Sequence, residues 1–223
     1  MSAQYGAWTA IRNLAASAAA VLFLSTPGLA EPITIAALGD SLTQGYGLPD
    51  GDGFVPQLQA WLDAHGGGVT MLNAGVSGDT TAGGLARIDW TLSDDVGALI
   101  VALGGNDLLR GLEPAESRAN LDAILAKAAA RGLPVLLIAS SAPGNYGADY
   151  KAEFDAIYPD LAAKYGARLA PGFLDILLEG RDAAAVLRDD LQNDGLHPNK
   201  DGVALIVARL GPEVQALAGD AAE

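Results

Sequence analysis

ITIAALGDSLTQGYG, residues 33–47, runs from a near-continuous apolar stretch into a turn that holds a short acid, Asp40, and a hydroxyl, Ser41, between glycines. A run of this kind, closed by glycine, reads as a strand buried on both faces, and strands of that type belong to parallel sheets. Ser41 is then either a turn residue where a buried strand ends or a nucleophile held at the carboxyl edge of a sheet. The rest of the chain decides between the two.

Four further apolar stretches read as strands, at residues 69–73, 96–103, 134–139 and, more weakly, 168–171. Between them the apolar residues recur at helical spacing. Phe54, Leu58, Trp61 and Leu62 form one face, Leu121, Ile124, Leu125 and Ala128 a second, and Phe154, Ile157, Tyr158 and Leu161 a third. Val203, Ile206, Val207 and Leu210 predict a closing helix, after which AGDAAE, 218–223, reads as a frayed tail. Strands alternating with helices predict an α/β fold, a mostly parallel sheet covered on both faces. In such a sheet the functional loops leave the carboxyl ends of the strands. No long polar linker and no internal repeat interrupts the pattern.

Composition narrows the partners. The 223 residues carry 13 Lys and Arg against 27 Asp and Glu, a formal charge of -14. No basic stripe is present to neutralise a phosphate backbone, which argues against nucleic acid as a partner. Half of the residues are apolar, enough for one substantial core. A monomer is the default expectation, and the absence of cysteine removes both disulfides and a thiol nucleophile.

Residues 13–30, NLAASAAAVLFLSTPGLA, are apolar, follow Arg12, and end with Gly28 and Ala30 in small-x-small positions. Residues 1–30 are therefore expected to be an export signal cleaved after Ala30, leaving a mature chain of 31–223 in the periplasm. The alternative, a membrane anchor, is opposed by Pro27 and by a run shorter than the roughly 20 residues a span requires. No stable insertion of the mature chain in a membrane is expected.

Three strand ends deliver polar turns to one edge: Asp40 and Ser41, then Gly75, Ser77 and Gly78, then Gly104 to Asp107. Of the two histidines, His65 reads as a helix-end residue, whereas His197 precedes Pro198 in a rigid loop, with Asp194 three positions earlier across Gly195. A serine needs a base to take its proton, and a carboxylate on the far imidazole nitrogen fixes the tautomer that can do so. Ser41, His197 and Asp194 make the economical triad. The backbone N–H groups of Ser41 and Gly78 and the Asn106 amide are candidate donors for the oxyanion. Asp107 reads as bracing its turn, Asp40 as orienting its loop through backbone hydrogen bonds, and DGDG at 50–53 as a loop opening a helix. Phosphate-loop, dinucleotide and nucleophile-elbow motifs are absent, as is the spacing of a zinc or calcium site.

These blocks, GDSLTQGYG, NAGVSGDTTAGG, GGNDLLRG and DGLHPN, resemble in order the four blocks of the SGNH, or GDSL-type, hydrolase family. The resemblance places that family's serine, glycine, asparagine and histidine at Ser41, Gly78, Asn106 and His197, with its aspartate at Asp194. It implies a flavodoxin-like three-layer α/β/α sandwich with a five-stranded parallel sheet. It also implies a serine esterase that needs no cofactor and no metal. Residues 142–166, APGNYGADYKAEFDAIYPDLAAKYG, resemble the periplasmic arylesterases and acyl thioesterases of the family that also hydrolyse lysophospholipids. That likeness puts Pro143, Gly144, Asn145 and Tyr146 beside the acyl pocket, with Ala142 where such enzymes often carry a bulkier aliphatic residue. The expected substrate is a small-molecule acyl ester or thioester. A carbohydrate O-acetylesterase on the same fold, or a noncatalytic binding module, are the rival readings.

Overall fold

The computed structural model describes residues 32–222. The expected export segment, its cleavage after Ala30 and the new terminus at Glu31 lie outside the described residues. Five strands, β1 (Ile33–Gly39), β2 (Val69–Gly75), β3 (Val96–Ala102), β4 (Val135–Ile138) and β5 (Arg168–Ala170), pair in the order β2-β1-β3-β4-β5. Every pairing is parallel. The chain steps from β1 to β2 on one side and then crosses β1 to place β3 on the other. That reversal leaves a crevice beyond the carboxyl ends of β1 and β3, where sheets of this order bind ligands.

Ten α-helices and one 3-10 turn, Gly144–Tyr146, complete the described residues, the helices being α1 (Ser41–Gln44), α2 (Phe54–Ala64), α3 (Thr81–Thr91), α4 (Gly105–Leu109), α5 (Pro114–Ala130), α6 (Ala148–Asp155), α7 (Ile157–Tyr165), α8 (Phe173–Leu178), α9 (Ala183–Asp189) and α10 (Lys200–Ala221). Alternate residues of the strands feed two cores. Ile35, Ala37, Ala98 and Ile100 pack under α2 and α10 on one face. Ala36, Leu38, Leu99 and Val101 pack under α3, α5 and α7 on the other. Both faces are thus covered, which is why the central strands β1, β3 and β4 are apolar almost without alternation. Among the described residues no helix is long and apolar enough to cross a membrane.

Two expectations are corrected. The apolar face 154–161 is not one helix, because the chain breaks between α6 and α7 at Ala156. Pro159 has no N–H to give to the Asp155 carbonyl, and its ring crowds that carbonyl, so the helix restarts. Nor is the C-terminal tail frayed: α10 continues to Ala221, and the Asp220 carboxylate receives Arg168 Nε at 2.6 Å. Leu217 and Ala218 are buried in the same turn, so side-chain packing holds the helix to its end.

Candidate active site

Ser41 opens the short helix α1 directly after β1. Asp40 caps that helix, its Oδ1 accepting from Leu42 N at 3.0 Å, so the loop orientation expected of Asp40 is present. The loop before α10 carries the other two groups. Gly195 adopts φ +67°, which lets Asp194 fold back over the loop. Asp194 Oδ1 accepts from the N–H groups of Leu196 and His197, each at 3.0 Å, and its Oδ2 lies 2.6 Å from His197 Nδ1. The His197 N–H, the Leu196 N–H and then the imidazole together hold the Asp194 carboxyl down to about 2. With its Nδ1 proton turned to that carboxylate, the ring presents Nε2 to Ser41 Oγ at 2.9 Å.

The histidine loop is fastened to the serine loop by groups that local sequence patterns did not single out. Gln192 Nε2 donates to the Tyr46 carbonyl at 2.8 Å and to the Pro198 carbonyl at 3.0 Å, while Gln192 N donates to the His197 carbonyl at 2.7 Å. The Tyr46 ring lies 4.7 Å from the imidazole, centroid to centroid. Asn199 caps α10, accepting from Asp201 N and Gly202 N, and fixes where the loop ends. The other histidine, His65, ends α2 and stacks on Trp61.

Gly78 follows β2 with φ +80°, a conformation that a side chain would strain; a Cβ there would meet nothing closer than Arg110 Nη2 at 3.7 Å. Glycine is needed at this position for its backbone angle more than for the space it leaves. Arg110 Nη2 donates to the Gly78 carbonyl at 2.7 Å. Arg87 spans the ends of β1 and β2, giving its Nη1 to the Ala74 carbonyl, its Nη2 to the Gly39 carbonyl and its Nε to Asp79.

Asn106 sits in α4 after β3, and its Nδ2 donates to Asp40 Oδ2 at 3.1 Å, leaving the second amide hydrogen unspent. Asp40 is buried, and that burial pushes its carboxyl up to about 6 against the opposing pull of the Leu42 and Asn106 donors. The neighbouring Asp107, also buried, accepts from Thr81 N, Thr81 Oγ1 and Ser117 Oγ at 2.6 to 3.0 Å. One carboxylate therefore ties α4, which carries Asn106, to the start of α3, which follows Gly78.

Ser41, Gly78, Asn106 and His197 border a single cavity of about 700 Å³. Its walls are mostly apolar. Of the four residues placed at the acyl pocket, Pro143, Asn145 and Tyr146 line the cavity and Gly144 does not. Ala142 also lines it, its backbone clamped by Asp155 Oδ1 at 2.7 Å and Lys151 Nζ at 2.6 Å. The opposite wall, Phe173, Leu174 and Leu178 of α8, was not anticipated. Its signal was the apolar FLDILL directly beyond the weakest strand.

A serine bonded to a histidine that is itself bonded to a carboxylate, at the carboxyl edge of a parallel sheet, defines a serine hydrolase. A model of the GDSL-like Lipase/Acylhydrolase family matches residues 37–205. The Esterase TesA of Pseudomonas aeruginosa is 38% identical over 189 residues, covering 84% of this chain and 90% of that protein. The Thioesterase 1/protease 1/lysophospholipase L1 of Escherichia coli K12 is 34% identical over 198 residues, covering 88% and 90% respectively. The crystal structure of AlinE4, an SGNH-hydrolase family esterase, superimposes with a TM-score of 0.66 at 46% identity, covering 83% of this chain and 96% of that one. The chain belongs to the GDSL-like, or SGNH, lipase/acylhydrolase family and is an ester-hydrolysing serine hydrolase.

Proposed function

We propose that the protein hydrolyses carboxylic esters and acyl thioesters with apolar acyl chains, lysophospholipids among them, through an acyl-enzyme on Ser41. The observation that carries this reading is the bonded series Ser41, His197, Asp194 opening onto an apolar cavity of about 700 Å³. His197 Nε2 takes the Ser41 proton as Oγ attacks the acyl carbonyl. The Asp194 carboxylate supports the imidazolium that forms, and its low pKa keeps it charged while it does so. The oxyanion is received by the N–H groups of Ser41 and Gly78 and by the free Asn106 amide hydrogen, donors whose supports hold them before the reaction starts. The imidazolium returns its proton to the departing alcohol or thiol. Water then repeats the attack on the acyl-enzyme, His197 taking its proton and passing it to Ser41 Oγ as the acyl–Oγ bond breaks and the carboxylic acid leaves.

The apolar walls of α8 and the 142–146 loop favour an acyl chain over a sugar, which would need polar partners along its length. Two sequence-based readings stand beside this one, export to the periplasm and a mature chain beginning at Glu31. The substrate reading is tested by kcat/KM on a series of 4-nitrophenyl esters from acetate to dodecanoate, with matching thioesters and acetylated sugars. Efficiency is expected to rise with chain length until the cavity is filled, and thioesters to follow esters. A maximum at acetate, with acetylated sugars as the best substrates, would overturn it in favour of a carbohydrate O-acetylesterase.

A further inference from the structure

Twelve of the 13 lysines and arginines lie among the described residues, and eleven of them have a carboxylate oxygen within 3.6 Å. The exception is Arg110. It follows Leu109 at the end of α4, is exposed, and its hydrogen-bonding partner among the described residues is the Gly78 carbonyl. Gly78 and Leu109 both line the catalytic cavity, so the one cation that no acid neutralises among the described residues stands beside that cavity's lining. Asp79, next to Gly78 in sequence, is already held by Arg87 at 2.6 Å. In a chain with 27 acids, pairing is the rule, and the departure falls beside an oxyanion donor.

A guanidinium carries five N–H donors in a fork suited to anionic oxygens, and the Gly78 carbonyl engages one of them. The cavity itself is apolar, and an ionised group drawn into it would lose its hydration without repayment. An amphiphilic substrate therefore enters by its acyl chain and leaves any anionic group at the rim, on the alcohol or thiol that will depart. We propose that Arg110 is a specificity residue that holds an anionic oxygen group, phosphate, sulfonate or carboxylate, on the leaving portion of the substrate. The proposal rests on acyl transfer at Ser41.

The test uses butanoate esters of 4-hydroxybenzenesulfonate, which is anionic, and of 4-hydroxybenzenesulfonamide, a neutral counterpart at pH 7. The ratio of kcat/KM for the anionic to the neutral ester is measured for wild type, Arg110→Gln and Arg110→Lys. In Arg110→Gln the ratio is expected to fall by about threefold to fivefold, the range of an exposed ion pair, through KM rather than kcat. Arg110→Lys should keep most of it, and about 0.5 M salt should erode the wild-type ratio by screening. If Arg110→Gln slows both esters equally, Arg110 serves only to fix the Gly78 carbonyl and the proposal is wrong. Should that variant fail to fold, a wild-type ratio indifferent to salt overturns it as well. Failure of the acyl-enzyme itself would be read separately, as Ser41→Ala hydrolysing both esters.

Discussion

Asp40 Oδ2 accepts from Asn106 Nδ2 at 3.1 Å, joining the residue before the serine to the carboxamide that follows β3. The bond fixes which way the amide points, so the Asp40 carboxylate sets the direction of a candidate oxyanion donor. Replacing it with Asn puts a second NH₂ against the first, and Asp40→Asn is expected to lower kcat by about tenfold, close to 1.4 kcal/mol, with KM little changed.

The same residue gives a pH signature in stability. Burial raises Asp40 from 3.8 to about 6, so the folded chain binds this proton more tightly than the unfolded one does. The stabilising contribution is complete below 3.8 and is lost as pH rises through 6. Relative to wild type, Asp40→Asn should therefore gain about 2 to 3 kcal/mol between roughly pH 4 and pH 7.5. Denaturant unfolding of both proteins at the two pH values measures it, and a difference that stays constant or reverses sign contradicts it.

Asn106→Ala removes an α4 side chain, its bond to Asp40 and one developing hydrogen bond. Its kcat on a short chromogenic ester should fall by about 100-fold to 1,000-fold, with circular dichroism unchanged. A loss confined to KM would mean that the amide binds substrate without favouring the transition state.

Asp194 accepts three hydrogen bonds, two of which shape its own loop. Asp194→Asn should reduce kcat by about 100-fold or more, yet by less than loss of the nucleophile, because the imidazole loses both its orientation and its counter-charge. The wild-type carboxyl is held at about 2, so what it contributes is present above 3.8 and disappears only as pH falls through 2. A loss of wild-type activity between pH 4 and 6 would thus belong to other groups.

Processing is checked by the mass and terminal sequence of the protein secreted from a Gram-negative host. A chain beginning at Glu31 in the periplasmic fraction is expected. An active cytosolic chain that keeps Met1 would remove the export reading.

The sheet was legible in the sequence because its central strands, β1, β3 and β4, are buried on both faces and read as nearly unbroken apolar runs, while the edge strands β2 and β5 are partly exposed. Even β5, three residues long, is marked by the glycine and proline around it. The candidate site residues Ser41, Gly78, Asn106, Asp194 and His197 could be proposed from the sequence because each follows a strand end or sits in a glycine- and proline-bounded loop. What escaped acts across the chain. Arg87 bonds carbonyls 13 and 48 residues away, and Gln192 reaches Tyr46 over 146 residues. No local pattern encodes an arginine that holds backbone. The break at Ala156 was hidden because the apolar spacing carries on across it, with Pro159 as the one clue.

The central claim is that Ser41 attacks the acyl carbonyl, and kcat of Ser41→Ala on 4-nitrophenyl butanoate tests it most directly. The account predicts a folded protein whose kcat falls by more than about 1,000-fold, with only the oxyanion donors sustaining a trace of hydrolysis. A variant that keeps more than about a tenth of the wild-type kcat would contradict covalent catalysis at this serine.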